Sequence, residues 1–231
     1  MENKLKVQIW SDIMCPFCYI GKRNFEAALK EFEAKNEIEI EWKSFQLDPT
    51  IPKSFEKKVS TYEYLAERKG MPVERSKELH DNIVETAKKV GLTYNFEKAV
   101  VANSFDAHKL IQLAKTKGLG DAAEESLFKA YFTDGKDMSD HSTLIQLGKE
   151  IGLNEEEITS ALASEEIEAK VNFDVSEGSQ LGVTGVPFFV FDRKYAVSGA
   201  QPVETFLNAL KQSHAESKNE GASCTPGGGC C

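Results

Sequence analysis

The sequence predicts a mixed α/β fold in which a βαβ half and a ββα half flank a large all-helical insertion. Three observations carry this. Alternating apolar and polar residues mark strands near both ends of the chain, the long middle shows only helical periodicity, and a cysteine pair, Cys15 and Cys18, stands between the first strand and the first helix.

Leu5 to Trp10 alternates as a half-buried strand does. Phe25, Ala28, Leu29 and Phe32 then recur at helical spacing, which places a helix from near Pro16 into the low thirties. Proline suits the first helical position, because the amide it lacks would be unpaired there. Ile38 to Phe45 alternates strictly and ends in the turn Leu47-Asp48-Pro49, so strand, helix and strand form a βαβ unit with parallel strands. From Ser60 the pattern turns helical and stays so. Ser60 with Glu63 is a capping-box signature for a helix that stops at Gly70. Pro72 opens a helix with Leu79, Ile83, Ala87 and Val90 on one face, and Asn103 caps one that runs to Gly118. Further helices are predicted over 121–132, 142–151, 155–163 and 165–178.

Strands return at 186–191 and 195–198, joined by Asp192-Arg193-Lys194 as a hairpin. Pro202 opens a last helix with Val203, Phe206, Leu207 and Leu210 on one face. Beyond Ser213 the chain is polar and glycine-rich and is predicted to be disordered. This order is that of a thioredoxin-like fold. Its own domain is discontinuous, 1–55 and 179–213, around an insertion at 56–178, with a Cys/Gly-rich tail at 214–231.

At 231 residues the chain is long enough to bury a sizeable core, and 41% hydrophobic with 28% charged residues is globular composition. A formal charge of −9 argues against a general nucleic-acid or acidic-membrane binder, which would need a basic face. No apolar run has the length of a membrane span. The chain starts Met-Glu-Asn-Lys-Leu-Lys and enters a strand without an apolar signal core, so a cytoplasmic location is expected. Monomer and homodimer both fit.

Cys15 and Cys18 lie one helical turn apart with Cys15 at the helix start, where free amides and the helix dipole favour a thiolate. A zinc site would need two more ligands, and outside the tail the sequence offers only His80, His108 and His141, each alone; no metal is expected. A structural disulfide closing so small a loop gains little. Dithiol redox chemistry is the reading favoured over a metal site or an inert pair, with the first cysteine exposed at the helix end and the second shielded one turn inside.

Ile9-Trp10-Ser11-Asp12 leading into Cys15-Pro16-Phe17-Cys18-Tyr19-Ile20-Gly21, then Asn103 to His108, then Gly185-Val186-Pro187-Phe188-Phe189 followed by Ser198 to Gln201, resemble the FrnE-like branch of the DsbA family. The similarity runs over nearly all of residues 5–212. It implies a cytoplasmic thiol–disulfide oxidoreductase, whether reductase, isomerase or oxidase, that works through a mixed disulfide. Cys15 would attack, Cys18 resolve, and Pro187 be the cis-proline facing them. No cofactor is implied beyond the redox-active Cys15–Cys18 disulfide, with glutathione as a candidate co-substrate. The implied partners are protein or small-molecule disulfides and thiols, and glutathione or the thioredoxin system. Strongly oxidising periplasmic relatives have Pro-His between their cysteines. Phe17 supplies no positive charge, so a Cys15 pKa below the free value but not extremely low is expected.

Pro16, Phe17, Val186 and Pro187 are expected to contact substrate, the last two through a strand-start backbone that can pair with an extended segment. Asn103 and His108 could line the cleft opposite Cys15, or serve only as an N-cap and a buried helix residue. Asp12 could shuttle protons or fix its loop. Cys224, Cys230 and Cys231 could form an auxiliary redox or soft-metal site, although three thiols are one short of a closed zinc site. Two other functions are compatible with the pattern. A glutathione-dependent isomerase or transferase, of the kappa-class or hydroxychromene-carboxylate isomerase type, typically carries serine where Cys15 stands. A redox-sensing holdase chaperone would keep its activity without Cys15.

Overall fold

Strand β1 (Leu5–Ser11) occupies an inner position of a four-stranded sheet, which is why every one of its residues except Lys6 is buried. It runs parallel to β2 (Ile38–Ser44), in register from Leu5↔Ile38 to Ser11↔Ser44. On its other side it runs antiparallel to β3 (Phe188–Phe191), from Val7↔Phe191 to Trp10↔Phe188. β4 (Tyr195–Ser198) pairs antiparallel with β3 and completes the order β2-β1-β3-β4. Asp192 and Arg193, both at positive φ (50° and 57°), make the tight turn between β3 and β4. The structure, a computed structural model, describes residues 4–223; the remaining terminal residues, Cys224, Cys230 and Cys231 among them, lie outside it.

Helix α1 (Pro16–Glu31) has two buried faces. One carries Phe25 and Ala28 onto the sheet, where Phe25 meets Phe189 and Phe206 at ring-centroid distances of 5.5 and 5.8 Å. Each such large apolar side chain stabilises the fold by about 2 kcal/mol. Phe206 belongs to α9 (Val203–Ser223), which packs beside α1. The other face carries Cys18, Tyr19 and Ile20 into a second core built by helices, with the Tyr19 ring stacked 4.9 Å from Phe128.

Those helices are α2 (Thr61–Lys69), α3 (Val73–Lys89), α4 (Phe105–Thr116), α5 (Gly120–Phe132), α6 (His141–Glu150), α7 (Glu155–Ala163) and α8 (Glu165–Gln180), all between β2 and β3. Polar side chains cap four of them: Ser60 accepts from the Tyr62 amide, Asp140 from Ser142 and Thr143, Asn154 from Glu156 and Glu157, and Ser164 from Ile167. Each cap contributes about 1 kcal/mol. No helix of the described residues is long and apolar enough to cross a membrane.

A buried polar joint fastens the helices to the sheet. Asp174 of α8 accepts from Lys43 Nζ at 3.0 Å, from the Ser44 amide at 3.1 Å and from Gln112 Nε2 at 2.6 Å, and its main-chain carbonyl accepts the Trp10 indole N–H at 2.8 Å. Lys43 is also held by Glu41 and Glu177, at 3.0 and 3.1 Å.

Several boundaries shift by one or two residues from the sequence reading, and three differences have a clear physical reason. The N-cap position of α4 is Ser104, not Asn103, whose Oδ1 nevertheless accepts the Phe105 amide at 2.9 Å from one residue upstream. β3 starts at Phe188 rather than Val186, since Pro187 has no amide to give a ladder. α9 continues past Ser213 to Ser223, where polar composition had pointed to disorder. Side-chain pairs hold the added turns: His214 Nε2 shares a 2.9 Å hydrogen bond with Glu37, Lys218 lies 3.5 Å from the same carboxylate, and the Tyr195 hydroxyl donates to Glu216.

Candidate active site

The approach to the cysteines is shaped by Asp12. Its main-chain carbonyl accepts the Cys15 amide at 2.9 Å, Oδ1 accepts the Met14 amide at 3.1 Å, and Oδ2 accepts the Leu47 amide at 2.7 Å. All these bonds go to backbone, so the carboxylate ties the turn before α1 to the loop after β2. Cys15 is the N-cap residue of α1, in extended conformation, and Pro16 takes the first helical position. The Cys18 amide donates to the Cys15 carbonyl at 3.0 Å, closing the first turn with both thiols free.

Cys15 Sγ donates to the Val186 carbonyl at 3.3 Å. The Val186–Pro187 peptide bond is cis, and the Pro187 ring lies so close to α1 that a β-carbon on Gly21 would meet its Cγ at 2.9 Å. A residue 171 positions away in the chain therefore covers the nucleophile candidate. Cys15 is only 4% exposed, where the sequence reading expects it open at the helix end; Val186 and the helices closing over it are the reason. Cys18 is 1% exposed, and burial, reinforced by Cys15 beside it, pushes its thiol well up.

The little surface that Cys15 keeps faces a cavity of about 620 Å³. Met14, Pro16 and Phe17 form its floor together with Val186; Leu47, Asp48 and Ile51 come from the loop after β2. Tyr64 and Leu65 of α2, Leu79, His80 and Ile83 of α3, and Tyr131 and Phe132 of α5 contribute to the wall. Phe17 and Leu47, 43% and 46% exposed, make an apolar lip. Of the expected substrate-contacting residues, Pro16, Phe17 and Val186 are thus on the cavity and Pro187 packs directly behind.

Asn103 and His108 are placed behind the wall rather than on it. Asn103 Nδ2 donates to the Ile51 carbonyl at 2.5 Å, and Oδ1 accepts from Phe105 and from Gln46 Nε2. His108 is fully buried, with Nε2 3.7 Å from Asp12 Oδ1. Burial disfavours its cation, but Asp12 outweighs this and its pKa is raised. Nearby, Ser11 Oγ donates to Glu124 Oε2 at 3.4 Å, and burial drives the Glu124 carboxyl up to about 7.

Two site residues have no signal in the sequence. Tyr94, in the loop after α3, donates its hydroxyl to the Pro16 carbonyl at 2.7 Å and so clamps the cysteine turn. Glu124 reads in the sequence as one more acidic helix residue, and only the fold buries it. Among the described residues no group of His, Cys, Asp or Glu could hold a metal ion; the thiols of the tail lie outside them.

The family model for the DSBA-like thioredoxin domain matches residues 6–211. The uncharacterized protein YwbO of Bacillus subtilis is 26% identical over 212 residues, 88% of this chain and 94% of that one. Among solved structures, the probable DsbA oxidoreductase SCO1869 of Streptomyces coelicolor is 37% identical with a TM-score of 0.87, over 98% of this chain and 94% of that one. The cytosolic disulfide reductase DsbM of Pseudomonas aeruginosa, solved with GSH, is similar in fold, at 18% identity and a TM-score of 0.61 over 94% of this chain and 98% of that one.

Proposed function

This chain belongs to the family of DSBA-like thioredoxin domains, and on that premise we propose that it is a cytoplasmic thiol–disulfide oxidoreductase whose reacting group is the Cys15-Pro16-Phe17-Cys18 dithiol. The observation that carries this reading is Cys15 at the N-terminus of α1, one turn from Cys18 and beside a cavity open to a substrate.

The reaction is two exchanges. The Cys15 thiolate attacks one sulfur of a substrate disulfide; the new bond is a mixed disulfide, and the displaced thiolate takes up a proton. Cys18, once deprotonated, attacks Cys15 Sγ, closes the Cys15–Cys18 disulfide and releases the second thiol. Two electrons pass from the dithiol to the substrate, and the two protons of the dithiol end on the released thiols. Run in reverse, the same steps oxidise a dithiol. Cys15 attacks from the N-cap position of α1. Phe17, Val186 and Pro187 position the substrate, and a thioredoxin-type dithiol or glutathione exchanges electrons with the pair. No other cofactor is needed.

The experiment uses the full chain with Cys224, Cys230 and Cys231 replaced by serine, equilibrated against glutathione buffers while Cys15 and Cys18 are trapped. A potential near about −270 mV marks a reductase, and one near about −180 mV or above an isomerase or oxidant. Cys18→Ser should accumulate a mixed disulfide on Cys15, and Cys15→Ser should abolish exchange. If no Cys15–Cys18 disulfide forms at any poise, the proposal fails. Suppression of aggregation that survives Cys15→Ser would instead favour a holdase.

A further inference from the structure

The cavity beside Cys15 has a wall without a cation. Among the described residues no lysine or arginine lines it, although the chain has 28 such residues. Its carboxylates are those of Asp12 and Asp48. Burial works against the Asp48 charge, yet hydrogen bonds from Thr50 and Tyr64 and the nearby Arg68 hold its pKa below the usual range. Arg68, half-exposed, does not line the cavity and is paired with Asp48 at 3.0 Å. Both Asp12 oxygens are taken by main-chain amides. His80, the imidazole on the wall, is kept toward its neutral form by burial between the rings of Tyr62 and Phe96. Much of the remaining surface is carbon, from Met14, Leu47, Ile51, Leu65, Leu79 and Ile83.

Two consequences combine. Cys15 is 4% exposed and lines this cavity, which is the route by which a substrate sulfur would reach it. A ligand carboxylate entering would lose water without gaining a counter-charge, which is unfavourable in apolar surroundings, whereas an apolar group gains by burial. A volume of about 620 Å³ is that of a small-molecule site. Resting on the oxidoreductase reading, we infer that the cavity selects low-molecular-weight disulfides and thiols whose group next to sulfur is uncharged and apolar, with which Cys15 exchanges faster than with anionic ones. The exchange is the one written above: Cys15 bonds to the substrate sulfur, the partner thiol leaves with a proton, and Cys18 releases the second thiol as the pair is oxidised.

The test takes the full chain, reduced, with the three tail cysteines replaced by serine. Single-turnover rates are measured with dithiodipyridine, a neutral aromatic disulfide, and with dithiobis(nitrobenzoate), its dianionic counterpart. Each rate is divided by that of the same reagent with a free, uncharged cysteine derivative. The neutral reagent is expected to react at least about tenfold faster on this scale. Ile83→Lys, which places an ammonium on a half-buried wall position, is expected to narrow the gap at least about threefold. A dianion that reacts as fast as the neutral reagent, or a gap that Ile83→Lys leaves unchanged, overturns the inference while the Cys15–Cys18 disulfide still forms and the oxidoreductase reading stands. Failure of both reagents to yield that disulfide removes the reading and the inference with it.

Discussion

Gly178 of α8 lies flat against the Trp10 indole of β1, so close that a β-carbon on Gly178 would stand 2.7 Å from Nε1 and 2.9 Å from Cδ1. One turn earlier, the Asp174 carbonyl accepts the proton of that same Nε1. Gly178→Val should therefore destabilise the protein by about 2 kcal/mol, since neither the indole nor the helix can move without giving up the bond. Urea unfolding followed by fluorescence reads both the loss and the altered Trp10 environment; an unchanged midpoint would contradict the contact.

The Asp174 carboxylate offers a second test. Removing it by Asp174→Ala leaves Lys43, 7% exposed, short of one partner but still beside Glu41 and Glu177. A cost of about 3 kcal/mol is expected. The double variant Lys43→Met/Asp174→Leu should not recover that loss, because the buried Ser44 amide and Gln112 still lose their acceptor and Glu41 and Glu177 lose their cation. Denaturant midpoints of the two variants decide it.

At the cysteine turn, Gly21→Ala should slow the reaction more than it weakens the fold. A methyl there meets the Pro187 ring at 2.9 Å and pushes Val186 away from Cys15, while alanine in a helix gains about 1 kcal/mol over glycine. A rate loss of about tenfold to a hundredfold in mixed-disulfide formation is expected, with a thermal midpoint near that of the unchanged protein.

Stability should fall as pH rises through neutrality. The Glu124 carboxyl, raised by burial from 4.5 to about 7, keeps its proton in the folded state after the unfolded chain has lost it. Its stabilising contribution is complete below about pH 4.5 and is lost as pH rises through about 7, a change of about 3 kcal/mol. His108 acts in the same direction, since its raised pKa also favours the protonated folded state at lower pH. Glu124→Gln, which keeps shape and removes the titration, should flatten the profile between pH 5 and 8. Equal pH dependence in both proteins would show that Glu124 does not titrate in this range.

The readable part of this protein was local. Phe25, Ala28 and Phe32 announce the sheet-facing side of α1 by spacing alone, and Cys15-Pro16 announces its start, because helix periodicity and the missing proline amide act within a few residues. Val186-Pro187 was recognisable through resemblance, and its contact with Cys15 is what the fold adds. Glu124, Tyr94 and Asp174 were not legible, since nothing in a neighbouring residue tells that a carboxylate will be buried against a strand laid down more than a hundred positions earlier. Asn103 and His108 stood out as polar residues at a helix start, but their hydrogen bonds and burial turn them toward the protein. The turns of α9 just beyond Ser213 are not legible for a related reason: polar side-chain pairs at His214, Glu216 and Lys218 support them, and such pairs leave no apolar stripe.

Because β1 borders β3 and Cys15 borders Val186, each earlier segment is completed only by one synthesised 171 or more residues after it. Until β3 is made, β1 has β2 on one edge and an unpaired row of amides and carbonyls on the other, the kind of edge through which chains associate. During the same interval neither Val186 nor the finished cavity covers the dithiol. Synthesis thus passes through a stage at which Cys15 meets the oxidants and thiols of its surroundings without selection, and the pairing of the two chain halves is what confers discrimination on it.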